Sequence, residues 1–266
     1  MSAPELSYRV HGGNGPALLL VHGFLSSSRQ WQPNLEALQA VSQPITVDLW
    51  GHGESPTPEE PHWYSATSYV QQLEGLRNRL GIQQWALGGY SLGAGITLAY
   101  AHHHPQRTLC QFFTNSSSAL ASASLQQQWL DTAADSAEKI LREGRVAIRR
   151  LPVHPRFARR LNEPMRQILL EDSEKLNPIG VANTLQHTTP HVSVRNFASD
   201  NQVPTLLCFG RHESRFEPSK RWAEAHMNHL TISELEAGHA VNLEDVEGFN
   251  GTVTRFLQTH FEAAGF

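Results

Sequence analysis

Through the first 115 residues, apolar runs of strand length alternate with segments of helical periodicity, and no other feature restricts the fold as much. Strands separated by helices must be joined by crossovers, which builds a largely parallel sheet with helices on its faces. Pro16 to Phe24 (PALLLVHGF) reads as a buried strand ending in a turn, after which Trp31, Leu35 and Leu38 recur at helical spacing. Pro44 to Asp48 (PITVD) is a second strand, followed by the Gly-rich turn LWGHGES. Ser65 to Gly81 reads as a helix with Ser or Thr near its start and Gly just after its end. The strand QWALGGY, a helix beginning near Ser91 and the strand LCQFFTN, ending at Asn115, complete this part.

The rhythm then changes. From about Leu120 to Thr189 the pattern is helical, and a strand returns only at Val203 to Gly210 (VPTLLCFG). A plain crossover needs about a dozen residues, so the spacing predicts a helical cap inserted over the C-terminal ends of the strands. The expected organisation is one core formed by residues 1–118 and 200–266, with the cap spanning residues 119–199. The last part supplies a helix from Glu217 to Met227, the strand HLTISEL and a closing helix after His239.

A formal charge of −4 argues against a nucleic-acid partner, which usually demands a basic surplus. No apolar run approaches the roughly 20 residues of a membrane helix, and MSAPELSYRV lacks the basic start and apolar core of a signal peptide. The expectation is a cytoplasmic protein with no membrane partner; oligomeric state is not readable. Cys110 and Cys208 lie in buried-strand patterns and read as reduced core thiols, although they could be neighbours in a sheet. His102, His103 and His104 read either as a metal-binding run or, more simply, as a helix end before Pro105.

Chemistry concentrates in GGYSLGAG, Gly88 to Gly95, where G-x-S-x-G centres on Ser91 between an apolar strand and a small-residue helix. Such a turn is tight enough that side chains at Gly89 and Gly93 would clash, and it lifts the serine hydroxyl clear of the sheet. A serine hydroxyl needs a base. The best-placed one is His239 in EAGHAVNLED, after the last strand, whereas His226, His229 and His260 lie in helix or strand patterns. For the acid that orients it, Glu213 follows the strand VPTLLCFG directly; Asp200 precedes that strand and Glu217 begins the next helix. An oxyanion also needs donors, and the HGF turn after the first long strand nominates the backbone amides of Phe24 and Leu92. Metal, nucleotide and flavin motifs are absent, so no cofactor is expected.

In order and spacing, HGFLSSSRQW, DLWGHGES, GGYSLGAG, GRHESRF and AGHAVNLE resemble the α/β-hydrolase superfamily, and they cover the chain outside the cap. The resemblance implies an α/β-hydrolase fold, a mostly parallel central sheet flanked by helices. More narrowly, HGFLSS, GYSLG, NPIGVANTL and the acid loop are similar to the succinyl-hydroxycyclohexadiene-carboxylate synthases, lyases of menaquinone biosynthesis that expel pyruvate; many small carboxylesterases share the layout. By that resemblance the lyases carry an arginine four residues after the serine, where it grips a substrate carboxylate, and an aspartate as the acid. This chain has Gly95 and Glu213 instead. Gly95, one helical turn past Ser91, is expected to leave open volume where the guanidinium would lie. Eight of the 18 arginines fall between Arg142 and Arg166, either to attract an acidic substrate or as a solvated helical face. The expected activity is hydrolysis of a small soluble carboxylic ester through an acyl-enzyme. The lyase reaction is the alternative, and a non-catalytic ligand receptor would not need the full serine, acid and histidine set.

Overall fold

The computed structural model describes residues 4–266. Its centre is a seven-stranded sheet in the order β1-β3-β2-β4-β5-β6-β7. β2 (Ala17–Val21), β3 (Gln43–Val47), β4 (Trp85–Gly89), β5 (Thr108–Thr114), β6 (Thr205–Gly210) and β7 (Leu230–Leu235) are mutually parallel. β1 (Tyr8–Val10) pairs antiparallel with β3 at the edge. Nothing in the sequence marks β1: it is three residues long and exposed throughout, so it carries no buried alternation.

Pleating splits the central strands between two faces. Leu19 and Val21 pack with Tyr69, Leu73 and Ile96, from α2 (Ala66–Arg79) and α3 (Leu92–His103). Leu18 and Leu20 point the other way, with Trp31 and the Val253 and Leu257 side chains of the C-terminal helix Val246–Ala263. Trp31 lies in a 3₁₀ stretch, Ser28–Asn34, and only Leu35–Gln39 (α1) is α-helical, so the expected helix is tighter at its start. The Ser65 hydroxyl caps α2 by accepting from the Ser68 amide at 3.2 Å, and Gly81 takes φ 68° just past its end.

Between β5 and β6 the chain forms no strand. It runs through α4 (Ala123–Glu143), α5 (Arg145–Ile148), α6 (Glu163–Lys175) and α7 (Pro178–Asn183), then a π turn at Thr184–Thr188. Ala137, Ile140, Ile148, Leu176 and Val181 close over Leu25 of the HGF loop. Val194 and Ala198 pack against Ala94 and Leu98 of α3. Beyond β6 lie α8 (Glu217–His226), β7, α9 (Val241–Glu244) and α10, the helix Val246–Ala263.

Two sequence motifs meet back to back. Gly51 of LWGHGES sits at φ 74°, and a Cβ there would lie 2.5 Å from the Cα of Gly180 in NPIGVANTL. Five of the eight clustered arginines are ion-paired: Arg142 with Glu138 and Glu143, Arg149 with Glu174, Arg150 with Glu143, Arg160 with Glu244 and Arg166 with Glu163. That is the solvated-face account for most of the cluster. Cys110 and Cys208 are free and buried on adjacent strands; Cys208 lies opposite Thr114, four residues from Cys110. His102 and His103 end α3, with His104 at its cap, and among the described residues no His, Cys, Asp and Glu group is placed to hold a metal. No described helix is long and apolar enough to cross a membrane.

The Gly51 contact yields a direct test. Gly51→Ala imposes both a strained φ and a backbone overlap, and is expected to lower unfolding free energy by about 2 kcal/mol or more. Gly75→Ala, on α2 with nothing within 4 Å of its Cβ position, should instead be neutral or stabilising by up to about 1 kcal/mol. Urea denaturation of the two variants reads the difference.

Candidate active site

Ser91 occupies the junction of β4 and α3 at φ 50°, ψ −113°. This conformation costs a non-glycine residue on the order of 1–3 kcal/mol and persists only where the surroundings enforce it. They do so by close approach. A Cβ on Gly89 would lie 2.5 Å from Ala94 Cα, and one on Gly93 would lie 2.4 Å from the Val21 carbonyl oxygen. From β5's far end the Ser116 hydroxyl donates to the Ser91 carbonyl at 2.5 Å.

The turn presents the Ser91 hydroxyl to His239, whose Nε2 is 3.1 Å from Oγ. On the other side of the ring, Nδ1 lies 3.0 and 3.1 Å from the Glu213 carboxylate oxygens. A carboxylate can only accept, so Nδ1 carries the proton and Nε2 is left with its lone pair toward the serine. Glu213 stands just past β6 and His239 just past β7, so parallel pairing of those strands delivers both to one end of the sheet. Their loops are joined by backbone bonds, Arg211 N–H to Leu235 O at 3.1 Å and His212 N–H to Ala237 O at 2.9 Å. The other nominated groups are elsewhere. Asp200 is exposed in a turn before β6, Glu217 pairs with Arg221, and His226 bonds its own helix.

Asn115, legible in the sequence only as the end of a strand, holds the Glu213 carboxylate. Its Nδ2 donates to Glu213 Oε2 at 2.7 Å and to the Gly210 carbonyl at 3.2 Å, while its Oδ1 accepts from the Gly210 amide at 3.0 Å. Tyr90 sits edge-on to the His239 ring, centroids 5.5 Å apart. Neither residue had a local signal beyond lying at a strand end.

The HGF turn lies against Ser91: a Cβ on Gly23 would be 3.1 Å from Ser91 Cβ. Among the described residues, the Phe24 and Leu92 amides donate to no protein acceptor. Leu92 follows Ser91 directly and Phe24 follows Gly23, so both unspent N–H groups belong to residues next to this contact. Two histidines hold this loop to LWGHGES. His22 Nε2 accepts from the Leu49 amide at 3.0 Å and its Nδ1 donates to the Gly23 carbonyl at 2.7 Å. His52 Nε2 accepts from the Leu25 amide at 3.3 Å and its Nδ1 donates to the Trp50 carbonyl at 3.0 Å. Each ring must be neutral to accept. Burial lowers the pKa of both, that of His52 to about 3.

Gly95 corrects an expectation. Instead of leaving open volume, it is covered by the tail of the β5–β6 segment: a Cβ there would lie 2.7 Å from the Val192 carbonyl oxygen and 2.8 Å from Val192 Cβ. The helical period fixes where residue 95 lies but not which distant segment packs on it.

Gly95→Ala should therefore destabilise by about 1–3 kcal/mol in urea denaturation, and Gly95→Arg by more. The buried rings give a pH test. His52 titrates near 6.5 when unfolded and about 3 when folded, so the unfolded chain binds more protons between those values. Stability contributed by this group is complete above about pH 6.5 and is lost as pH falls toward about 3. Denaturation series at several pH values should show that decline, flattened in His52→Asn.

A sequence-family model described as alpha/beta hydrolase fold matches residues 16–246. A Bacillus subtilis (strain 168) protein provisionally named 2-succinyl-6-hydroxy-2,4-cyclohexadiene-1-carboxylate synthase is 28% identical over 251 residues, covering 91% of this chain and 90% of its own. Among solved structures, MenH from S. aureus superposes with a TM-score of 0.84 at 20% identity, covering 95% of this chain and 98% of its own. A thermophilic esterase from Thermogutta terrifontis superposes with a TM-score of 0.82 at 21% identity, covering 96% and 94%. At those identities the superpositions speak for the fold, while the family match spans most of the sequence. The chain belongs to the α/β-hydrolase fold family.

Proposed function

We propose that this chain is a serine hydrolase that cleaves a small carboxylic ester through an acyl-enzyme. One observation carries the proposal: Ser91 Oγ, His239 Nε2, His239 Nδ1 and the Glu213 carboxylate form a continuous relay with links of 3.1 and 3.0 Å. Ser91 attacks the ester carbonyl while His239 takes its proton. Glu213, held by Asn115, stabilises the imidazolium that forms. The Phe24 and Leu92 amides receive the oxyanion, and the helix N-terminus behind Leu92 favours its negative charge. His239 returns the proton to the leaving alcohol, and water then releases the acid by the same relay. No step calls for a cofactor. Residues 119–199 act as a cap that selects the acyl or alcohol part, and the partner is a small-molecule ester met in the cytoplasm.

A second reading, elimination of pyruvate in menaquinone biosynthesis, is favoured by the similarity to the B. subtilis protein over nine-tenths of both chains. It would use the same Ser91–His239 pair as a base, without an acyl-enzyme. Against it stands position 95, where even a Cβ would meet the Val192 backbone and side chain. The carboxylate grip would have to come from elsewhere, such as Arg145, Arg156 or Arg159, which form no ion pair among those found between the described residues.

Steady-state kinetics with short-chain nitrophenyl esters test the main reading. Ser91→Ala should fold normally and retain less than a few per cent of turnover. Glu213→Gln should lose roughly a thousandfold or more in rate, and Asp200→Asn should stay within about twofold, as a distant surface change does. If Asp200→Asn were the more damaging, the acid assignment would be wrong. Pyruvate release from the menaquinone intermediate with kcat/KM above roughly 10⁵ M⁻¹s⁻¹, alongside negligible esterase activity, would replace the ester reading with the lyase.

A further inference from the structure

The segment carrying His239 has little structure of its own. It is a short loop between β7 and α9, and a general base on such a loop needs something to fix it. Glu244, at the end of α9, folds back over that loop. Its Oε2 accepts from the Gly238 amide at 2.7 Å and its Oε1 from the Ala240 amide at 3.2 Å. The two amides are those immediately before and after His239, so one carboxylate clamps the base's backbone from both sides. The Glu244 side chain is 8% exposed, and its remaining contact is Arg160, whose Nε donates to Oε2 at 2.8 Å. A buried carboxylate with two short amide bonds and a guanidinium is well satisfied. The next residue continues the pattern, since Asp245 Oδ2 accepts from the Glu236 amide at 3.1 Å while Oδ1 accepts from Gly248 at the start of α10.

We infer that Glu244 is the positioning residue for His239, holding its ring in line between Ser91 and Glu213, and that Arg160 steadies Glu244 from the β5–β6 segment. The inference rests on the assignment of His239 as the base. Glu244 touches neither substrate nor a reacting atom. Removing it frees two N–H groups and lets the loop move, and a displacement of about 1 Å between a base and its nucleophile costs up to a hundredfold in rate. Because the substrate does not contact this carboxylate, the loss should fall on kcat and not on KM. Arg160 stands one step further out and is 55% exposed, so its removal leaves both amide bonds in place.

Three variants and three readouts test this. Glu244→Ala should lower kcat by roughly ten- to a hundredfold with KM within about threefold, and slow fluorophosphonate labelling of Ser91 in parallel. Glu244→Gln keeps one acceptor and should recover part of that loss. Arg160→Gln should stay within about threefold of the wild type. The independent readout is the low-field proton resonance of His239 Nδ1–H bonded to Glu213, which should be present in the wild type and broadened or lost in Glu244→Ala at temperatures where circular dichroism shows the chain folded. An unchanged resonance or an unchanged kcat in folded Glu244→Ala would overturn the inference. So would a loss that appears in KM alone, or one that Glu244→Gln leaves wholly unrepaired. Failure of the hydrolase reading looks different: the wild type would neither turn over esters nor take the label, and the resonance would still report whether Glu244 places the ring.

Discussion

The tight passage of the chain through Ser91 is the constraint on which the remaining structure depends. A serine at φ 50° is held there because β2, β4 and α3 approach so closely that Gly89 and Gly93 have no room for a Cβ. Those approaches exist only if β2 and β4 are parallel neighbours, and that pairing in turn places the HGF loop beside Ser91. The strain at one residue is offset by the packing of a whole sheet face, where Leu19, Val21, Leu87 and Ile96 are buried together. One geometry therefore serves both the hydrophobic core and the presentation of the half-buried Ser91 hydroxyl.

Around that turn the positions are set largely by neutral hydrogen bonds to backbone. His22 and His52 each give one bond and take one, lashing the HGF and LWGHGES loops together as neutral rings. Asn115 does the same between β5 and the Glu213 loop. The charged exceptions include Glu213 and Glu244, carboxylates that accept amide hydrogens close to His239, and Asp48, which accepts from the Ser28 and Glu54 amides between the HGF and LWGHGES loops. Neutral groups that are fully bonded cost little to bury, whereas a charge is tolerated where it is paired. The consequence for function is rigidity, because each loop of the site is tied to a second element.

The segment between β5 and β6 contributes differently. It touches the core through small-residue contacts, Gly180 on Gly51 and Val192 on Gly95, and through an apolar patch over Leu25. Close backbone contacts of this kind leave no slack for a side chain and fix where the segment lies. Its arginines, which look in sequence like an anion-attracting cluster, spend five of eight guanidiniums on neighbouring carboxylates. The exposed pairs among them contribute little to stability, while Arg160 differs in reaching the nearly buried Glu244.

What the sequence alone determined was set by local physics. Fully buried strands appear as apolar runs, helices as a period with Ser65 and Gly81 at their ends, and a strand-to-helix turn as glycines flanking Ser91. His239 and Glu213 were legible because each follows a strand, and parallel strands deliver their C-terminal ends to one edge of the sheet. Only the tertiary structure decided what depends on distant segments meeting. Asn115 bonds across 98 residues to Glu213, and Val192 closes the space at Gly95. Arg160 reaches 84 residues along the chain to Glu244. β1, short and exposed, is a strand solely because β3 accepts it. Periodicity and turn chemistry are written within a few residues of each site, but whether a glycine borders a void or a wall is a property of whichever part of the chain arrives there.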